Sequence, residues 1–270
     1  MKRIRWNIVL YSLLGISALA GMAMLMSLIA RKADEQPCKQ LKVVVEGKET
    51  FIDQQDISSL ILDNFGNVIG VPLKDIETEK IEQGLLALPY VARASVYADM
   101  DGVLQINVQQ REVILRVISA RGKEYYVDTE GKKIPVTLKY VPHVLVANGY
   151  IRESYDEPLE PVESELVQDL VKIAEHVRGN SLWENQIVQL FVNDERDIEI
   201  IPRVGKEVLL IGNAEELQGK LDRLEVYYKN ILPKVGTEAY EKVNVKYAGQ
   251  IICERRDGWY IDSLQMMINN

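Results

Sequence analysis

The feature that most constrains this chain is a stretch of 25 residues near its N-terminus, positions 6–30, in which no side chain is charged. A helix of roughly 20 apolar residues crosses the hydrocarbon core of a bilayer, which is about 30 Å thick. A cleaved secretory signal has a shorter apolar region, of about 7 to 15 residues, and ends at a small-x-small site. This stretch is longer, and no clean site of that kind follows it. We therefore predict a retained N-terminal transmembrane helix over residues 6–30.

The charges that flank this stretch indicate its orientation. Residues 1–5 contain three basic side chains, whereas the two basic residues just after the stretch are joined at once by two acidic ones. Positive charge favours the cytoplasmic side of a membrane. We predict a cytoplasmic stub over residues 1–5, a single pass through the cell inner membrane, a linker over residues 31–40, and the bulk of the chain in the periplasm.

The charge balance argues against a nucleic-acid partner. The chain carries 40 acidic and 32 basic side chains, which gives a formal net charge of −8. Domains that bind nucleic acid usually carry a basic patch or stripe. No such stripe is visible, and an exported domain would not meet nucleic acid.

The two cysteines, Cys38 and Cys253, leave their redox state open. An exported location permits a disulfide. One cysteine lies beside the predicted membrane span and the other ends the last predicted strand. We therefore do not expect a bridge between them.

Residues 41–117 predict a small domain of the order strand, helix, helix, strand, strand. A strand at 41–46 precedes a helix that Asp53 caps and Gly66 stops. A second helix follows Pro72 and ends at Pro89, and a hairpin then turns at 101–102. Because two helices can cover one face of a three-stranded sheet, we predict a two-layer α+β domain.

Residues 118–254 predict a larger mixed β-sheet domain of roughly six strands with two flanking helices. The first helix is predicted over residues 162–177, and Asn213 begins a second helix that Pro233 ends. The C-terminal tail, residues 255–270, shows no clear period.

The last strand of this domain is predicted at residues 240–247. Val243, Val245 and Tyr247 alternate with polar residues, which is the period of a strand with one buried face. The dipeptide 248–249 then precedes a second apolar run. It is either a bulge within one long strand or the turn of a terminal hairpin. In the hairpin case, residues 250–255 form the outer edge.

No catalytic or metal-binding constellation emerges from the sequence. The two histidines, His143 and His176, are interpreted as structural and surface residues. The chain contains no H-E-x-x-H motif, no phosphate-binding glycine loop and no G-x-S-x-G elbow. We therefore expect a non-enzymatic protein without catalytic residues, metal ligands or a cofactor.

Three segments of the chain carry a resemblance to a known family: LKVVVEGKETFIDQQDISSLIL, IEQGLLALPYVARASVYADMDGVLQINVQQREVILRV and YYVDTEGKKIPV. They resemble the bacterial cell-division family FtsQ, called DivIB in some lineages. The first segment resembles the opening strand and first helix of that family's POTRA domain. The second resembles its second helix, proline break and closing hairpin, and the third resembles the start of its β domain. From residue 137 to residue 235 the resemblance rests mainly on the order of elements.

The resemblance implies a scaffold of the divisome. FtsQ-like proteins recruit the single-span partners FtsB and FtsL to the septum and help control septal peptidoglycan synthesis. In the family, FtsB adds a strand to the edge of the last strand of the β domain. Carried onto this chain, the implied partner-binding residues are Lys246, Tyr247, Ala248, Gly249, Gln250, Ile251, Ile252 and Trp259.

Physical chemistry supports strand addition at such an edge. An exposed edge carries unpaired donors and acceptors that proteins usually cover. A partner strand can complete it through main-chain bonds, and alternate side chains then set specificity. The alternative is a POTRA-containing periplasmic chaperone or a transport component of an outer-membrane system, which usually carries repeated POTRA units. A cell-wall enzyme is a third hypothesis.

Overall fold

The computed structural model describes residues 14–26, 36–99 and 101–257. The chain divides into two compact units, Met1–Gln110 and Arg111–Asn270. The domain boundary predicted after residue 117 differs from this division. The reason is that residues 113–118 form a strand of the second sheet, where the sequence had suggested a continuation of the first domain's hairpin.

Residues 14–26 form a helix whose apolar side chains are exposed. Among the described residues, no helix combines the length and the hydropathy that a membrane span requires. Positions 6–13 and 27–30 of the predicted span lie outside the described residues. The membrane anchor therefore stays a prediction.

The first unit confirms the predicted order of strand, helix, helix, strand, strand. Its elements are β1 (Gln40–Glu46), α1 (Gln54–Phe65), a 3-10 turn (Leu73–Asp75), α2 (Thr78–Leu86), β2 (Val91–Ala98) and β3 (Val103–Gln110). The sheet order is β1-β3-β2, so β3 is central. It runs parallel to β1 and antiparallel to β2.

The ends of α1 follow the local sequence. The Asp53 side chain accepts hydrogen bonds from the amides of Gln55 and Asp56, and the Asp56 side chain accepts one from the Asp53 amide. This reciprocal capping satisfies amides that have no partner within the helix. Gly66 ends the helix with a φ of +76°, a value that favours glycine.

The second helix begins at Thr78, later than the sequence predicted. The Leu73 amide donates to the Gln36 carbonyl at 2.9 Å, and Pro72 pairs with Pro37 in an isolated bridge. These bonds tie the segment after Pro72 to the chain that precedes β1. Periodicity could not reveal them because they join residues that are distant in sequence.

The two helices of the first unit pack on one apolar layer of its sheet. The buried members of this core include Ile57, Ile61, Ile81, Leu85, Leu104 and Ile106. Burying a side chain of this size contributes about 1.5–3 kcal/mol. The helices thus form the second layer of a two-layer α+β unit, as predicted.

Among its described residues, the second unit contains nine strands, more than the sequence suggested. They are β4 (Val113–Ile118), β5 (Glu124–Asp128), β6 (Lys133–Pro135), β7 (Leu145–Gly149), β8 (Ile187–Val192), β9 (Ile198–Pro202), β10 (Val208–Gly212), β11 (Tyr240–Asn244) and β12 (Ile252–Arg255). Their order is β12-β11-β10-β9-β8-β7-β4-β5-β6. The pairs β4/β7, β7/β8 and β10/β11 are parallel and the others antiparallel, which makes the sheet mixed.

The helices of the second unit share a core with this sheet. They are α3 (Glu165–Arg178), α4 (Ser181–Gln186), α5 (Leu217–Val226), a π-helical turn (Tyr227–Ile231) and α6 (Leu232–Val235). The core joins Leu170 and Ile173 of α3 and Leu221 of α5 to strand residues such as Leu190 and Val243. The predicted first helix corresponds to α3, with Ser164 as its cap.

The second helix begins later than predicted, at Leu217, and its helical segment continues past the predicted end at Pro233, to Val235. Asn213 accepts a bond from the Glu215 amide but does not cap α5, because Glu216 adopts a left-handed φ of +47° before the helix begins at Leu217. Pro233 lies inside the first turn of α6, where its missing amide costs no hydrogen bond.

Candidate partner-binding edge

Residues 240–255 form an edge hairpin of β11, a turn and β12. Asn244 pairs with Ile252 and Val243 with Cys253 in antiparallel register. The dipeptide Ala248-Gly249 therefore lies in the turn of a hairpin, which decides between the two alternatives. Because β11 also pairs with β10, it is internal, and β12 is the outermost described strand of the sheet.

Two of the three alternating apolar side chains face the core. Val243 and Val245 are fully buried, whereas Tyr247 is 54% exposed. The prediction of a buried Tyr247 is wrong because β11 ends at Asn244. The Asn244 side chain accepts the Lys246 amide at 2.9 Å, which turns the chain away from the strand direction.

The turn itself presents exposed residues. Lys246 to Gln250 are all exposed. The Gln250 amide donates to the Tyr247 carbonyl at 3.3 Å, and Gly249 has a φ of +69°. This left-handed conformation favours glycine, so the turn depends on Gly249.

Long-range contacts hold the turn in place. Lys246 Nζ lies 2.6 Å from a carboxylate oxygen of Asp197, and this hydrogen bond raises the pKa of Lys246. Arg223 of α5 donates to the Val245 carbonyl at 2.8 Å. The predicted Lys246 is therefore already engaged within the unit. Sequence reasoning missed Asp197 and Arg223, because neither belongs to a motif near the turn.

The two isoleucines predicted as apolar contacts differ in position. Ile251 is half-buried against the core of the second unit, whereas Ile252 is 42% exposed. Cys253 lies on the inner side, and burial, together with nearby Glu207, raises the pKa of its thiol. Ile252 is thus the better placed of the pair to meet a partner. Trp259 lies outside the described residues.

The end of β12 is tied back to the sheet by Arg256. Its backbone amide donates to the Ala239 carbonyl at 3.1 Å, and its guanidinium donates to the Lys206 carbonyl at 2.9 Å. Lys206 in turn forms an ion pair with Glu238 at 2.7 Å. Sequence reasoning missed Arg256, because only the fold brings it to the start of β10.

A cleft of about 310 Å³ opens beside the turn. Its lining carries both signs of charge, and it consists of Glu165, Leu166, Asp169, Arg196, Asp197, Gly212, Asn213 and Lys246. Arg196 has a left-handed φ of +67°, which is uncommon outside glycine. The residues that line the cleft thus come from four separate parts of the chain.

The described residues, 14–26, 36–99 and 101–257, contain no candidate metal site. No group of three or more histidine, cysteine or acidic side chains there is arranged to hold a metal ion. Cys38 and Cys253 are both free and belong to different units.

Comparisons with known proteins match the two units separately. Residues 112–254, more than half of the 270-residue chain, match the family described as FtsQ/DivIB, C-terminal related. Residues 36–109 match the POTRA-like domain. A curated relative is the cell division protein FtsQ of Rhodothermus marinus (strain ATCC 43812 / DSM 4252 / R-10). It is 22% identical over 185 residues, which cover 68% of this chain and 67% of the relative.

Proposed function

Because the chain belongs to the FtsQ/DivIB family, we propose that it is a non-enzymatic scaffold that recruits FtsB- and FtsL-type proteins to the division septum. Family membership supports a role in cell division. In this proposal residues 6–30 anchor the chain in the inner membrane with the N-terminus in the cytoplasm. The two folded units then lie in the periplasm, where the scaffold helps control septal peptidoglycan synthesis.

The open side of β12 is the single observation that carries the recruiting role. β12 ends the nine-stranded sheet, and no described strand pairs with its outer side. A strand edge of this kind offers unpaired amides and carbonyls. A partner segment that adds as a tenth strand satisfies them and gains affinity from main-chain hydrogen bonds.

The exposed side chains of the edge hairpin supply specificity. Tyr247 in the turn and Ile252 at the start of β12 are both large and substantially exposed. Tyrosine is enriched among residues that dominate binding energy at protein interfaces. Ile252 extends the apolar contact along the strand, and the Lys246–Asp197 pair marks the polar border of the surface.

The test is capture of the partners by tagged full-length protein in solubilised membranes. The amides of successive residues in an antiparallel strand alternate between facing the neighbouring strand and facing away. We therefore make both Cys253→Pro and Glu254→Pro. One of them removes an amide that faces away from β11 and leaves the bonds to β11 intact, whereas the other removes an amide that faces β11. We expect the variant without the outward-facing amide to keep the native circular dichroism spectrum and to lose FtsB- and FtsL-type proteins.

The alanine variants Cys253→Ala and Glu254→Ala are the matched controls, because they change the same side chains but keep both amides. They should retain the partners. If natively folded proline variants also retain them, strand addition at β12 is wrong. If the parent protein retains no division protein, the scaffold proposal itself is wrong.

Depletion in cells tests the wider role independently of the site. Loss of a recruiting scaffold should leave septa unfinished and produce filamentous cells. Normal division after depletion would contradict a divisome role.

A further inference from the structure

A buried carboxyl group lies beneath the open edge of the second unit. Glu207 directly precedes β10 and is only 2% exposed. Neither carboxylate oxygen makes a hydrogen bond of ordinary geometry to a described residue. An ionised carboxylate in such surroundings is costly unless it is well paired.

The groups that face Glu207 do not supply a cation. Tyr227 and Tyr228 of the π-helical turn and Cys253 of β12 lie around it. The cations of the adjoining segments are engaged elsewhere, Lys206 with Glu238 and Arg256 with backbone carbonyls.

Burial raises the pKa of Glu207. The amides of Lys206 and Glu207 and the hydroxyls of Tyr227 and Tyr228 offset this effect only in part. The folded state therefore holds the proton of Glu207 more tightly than the unfolded chain does.

The loop over residues 203–207, the latch loop, closes tightly around this carboxyl group. Gly205 has a φ of +108°, and a Cβ atom placed there would lie 2.2 Å from a carboxylate oxygen of Glu207. No room remains beside the group on that side. The latch loop thus covers the carboxyl group on that side, and opening it would expose the group to water.

Opening of the latch loop would affect β12 because Arg256, next to the strand, is hydrogen-bonded to the loop. The Lys206 carbonyl of the loop accepts a hydrogen bond from the Arg256 guanidinium at 2.9 Å. Arg256 directly follows β12, so movement of Lys206 breaks a bond that holds the end of the strand. Cys253, on the inner side of β12, also links Glu207 to the strand, because the two groups interact electrostatically.

We propose that Glu207 is a pH-sensitive latch for the open edge: its neutral form holds β12 in place, and its ionisation opens the latch loop and loosens the strand. The stabilising effect is complete below the ordinary pKa of a glutamate, about 4.3, and is lost as the pH rises through the raised value in the folded state. The consequence for partner binding rests on the proposed function, because an ordered β12 is the template for the added strand.

The test is hydrogen–deuterium exchange of the full-length chain in detergent micelles, without partner, between pH 4.5 and pH 8. After correction for intrinsic exchange rates, residues 250–257 of the parent should lose protection as the pH rises through this range. Glu207→Gln keeps the size of the side chain but cannot ionise. It should retain protection across the whole range.

Glu199→Gln is the matched control. Glu199 is also a buried carboxylate of this sheet, but Asn193 bonds it at 3.1 Å and Lys242 lies 3.7 Å away. Its replacement should leave the pH dependence at residues 250–257 intact. If Glu207→Gln loses protection with pH as the parent does, or if the parent loses none, the latch is wrong.

A second measurement covers the case in which Glu207→Gln folds poorly. In the parent, residues 203–207 and 250–257 should lose protection with one common midpoint, and separate midpoints overturn the proposal. Partner capture remains a separate experiment. A pH-dependent edge that captures no partner at any pH would sink the proposed function but not the latch.

Discussion

The two edges of the nine-stranded sheet differ in whether the chain itself satisfies their outward-facing backbone groups. At one end, residues 159–162, the sealing segment, lie along β6. The Lys133 amide donates to the Glu160 carbonyl at 2.8 Å, and the Leu159 amide donates to the Lys133 carbonyl at 2.9 Å. The Val162 amide donates to the Gly131 carbonyl at 2.9 Å. Backbone groups that an edge would expose are therefore satisfied within the chain.

A buried cluster of charges reinforces the sealed edge. Lys133 is almost fully buried, and its Nζ lies 3.1 Å from the Ser154 carbonyl and 3.1 Å from carboxylate oxygens of Glu153 and Glu160. Burial lowers the pKa of Lys133, but its bonds to the two glutamates outweigh this effect and raise it. The ammonium group thus remains charged inside the fold.

The other end of the sheet has a four-residue strand and no comparable cover among the described residues. β12 pairs with β11 alone, and Ile252 is partly exposed beside it. Proteins usually cover or blunt such edges because they attract further strands. The difference between the ends teaches that the chain satisfies the backbone groups of one edge itself and leaves the other edge open among the described residues. Under our proposal the open edge is where a partner strand adds.

The largest effect is expected from breaking the sealed edge at Lys133. Lys133→Met leaves Glu153, which is itself buried, without its cation. Removing one partner of a buried ion pair costs about 3–5 kcal/mol. We expect urea denaturation to show a loss of this size in the free energy of unfolding.

Lys132→Met is the control for that substitution. Lys132 is more exposed and pairs with Glu130, which is 54% exposed, so its loss should cost no more than about 1 kcal/mol. Equal losses for the two variants would mean that the buried cluster does not stabilise the sealed edge.

The second-largest effect is the dependence of stability on pH that Glu153 causes at the sealed edge. Burial raises the pKa of Glu153, but bonds from the Ser164 hydroxyl, the amides of Glu163 and Ser164, and Lys133 outweigh it and lower the pKa. The resulting stability is present above the ordinary glutamate pKa of about 4.3 and is lost as the pH falls through the lowered value. The sealed edge therefore weakens in acid, whereas the latch at the open edge strengthens.

The variant Glu153→Gln tests whether the Glu153 carboxylate causes the loss of stability of the sealed edge in acid. Hydrogen bonds to charged groups contribute about 1.5–3 kcal/mol, and the variant should lose about that much at pH 7. Its stability should also fall less steeply below pH 4.5 than that of the parent, when unfolding is followed by circular dichroism. An unchanged acid limb in Glu153→Gln would argue against this role of the carboxylate.

The smallest effect on stability is expected at the open edge. Tyr247→Ala should change the free energy of unfolding by no more than about 0.5 kcal/mol, because the side chain is half exposed. If the turn contacts a partner, the same change should weaken binding by about 1–2 kcal/mol in a titration with FtsB-type protein. Tyr97→Ala removes a tyrosine of similar exposure from the first unit and should leave the binding of FtsB-type protein unchanged. A large loss of stability in Tyr247→Ala would show that the turn serves the fold.

Much of the local structure could be predicted from the sequence. Asp53 and Gly66 bound α1 because capping depends on side chains and dihedral angles within one turn. Val243 and Val245 marked the buried face of the predicted strand over residues 240–247, because side chains alternate along any strand. These features require no knowledge of distant residues, so a single sequence contains them.

The tertiary structure alone decided which edge is open and which charged side chains are buried near each edge. The hairpin turn at Ala248-Gly249 and the position of β12 follow from pairing with β10 and β11, not from local pattern. Lys133 and Glu207 are ordinary charged residues in the sequence. Their burial arises because segments far apart in the chain close over them. The sequence alone determined the periods of many strands and helices and some of their caps, because those depend on neighbouring residues. Strand order, burial and altered pKa values depend on long-range contacts, which only the folded chain makes.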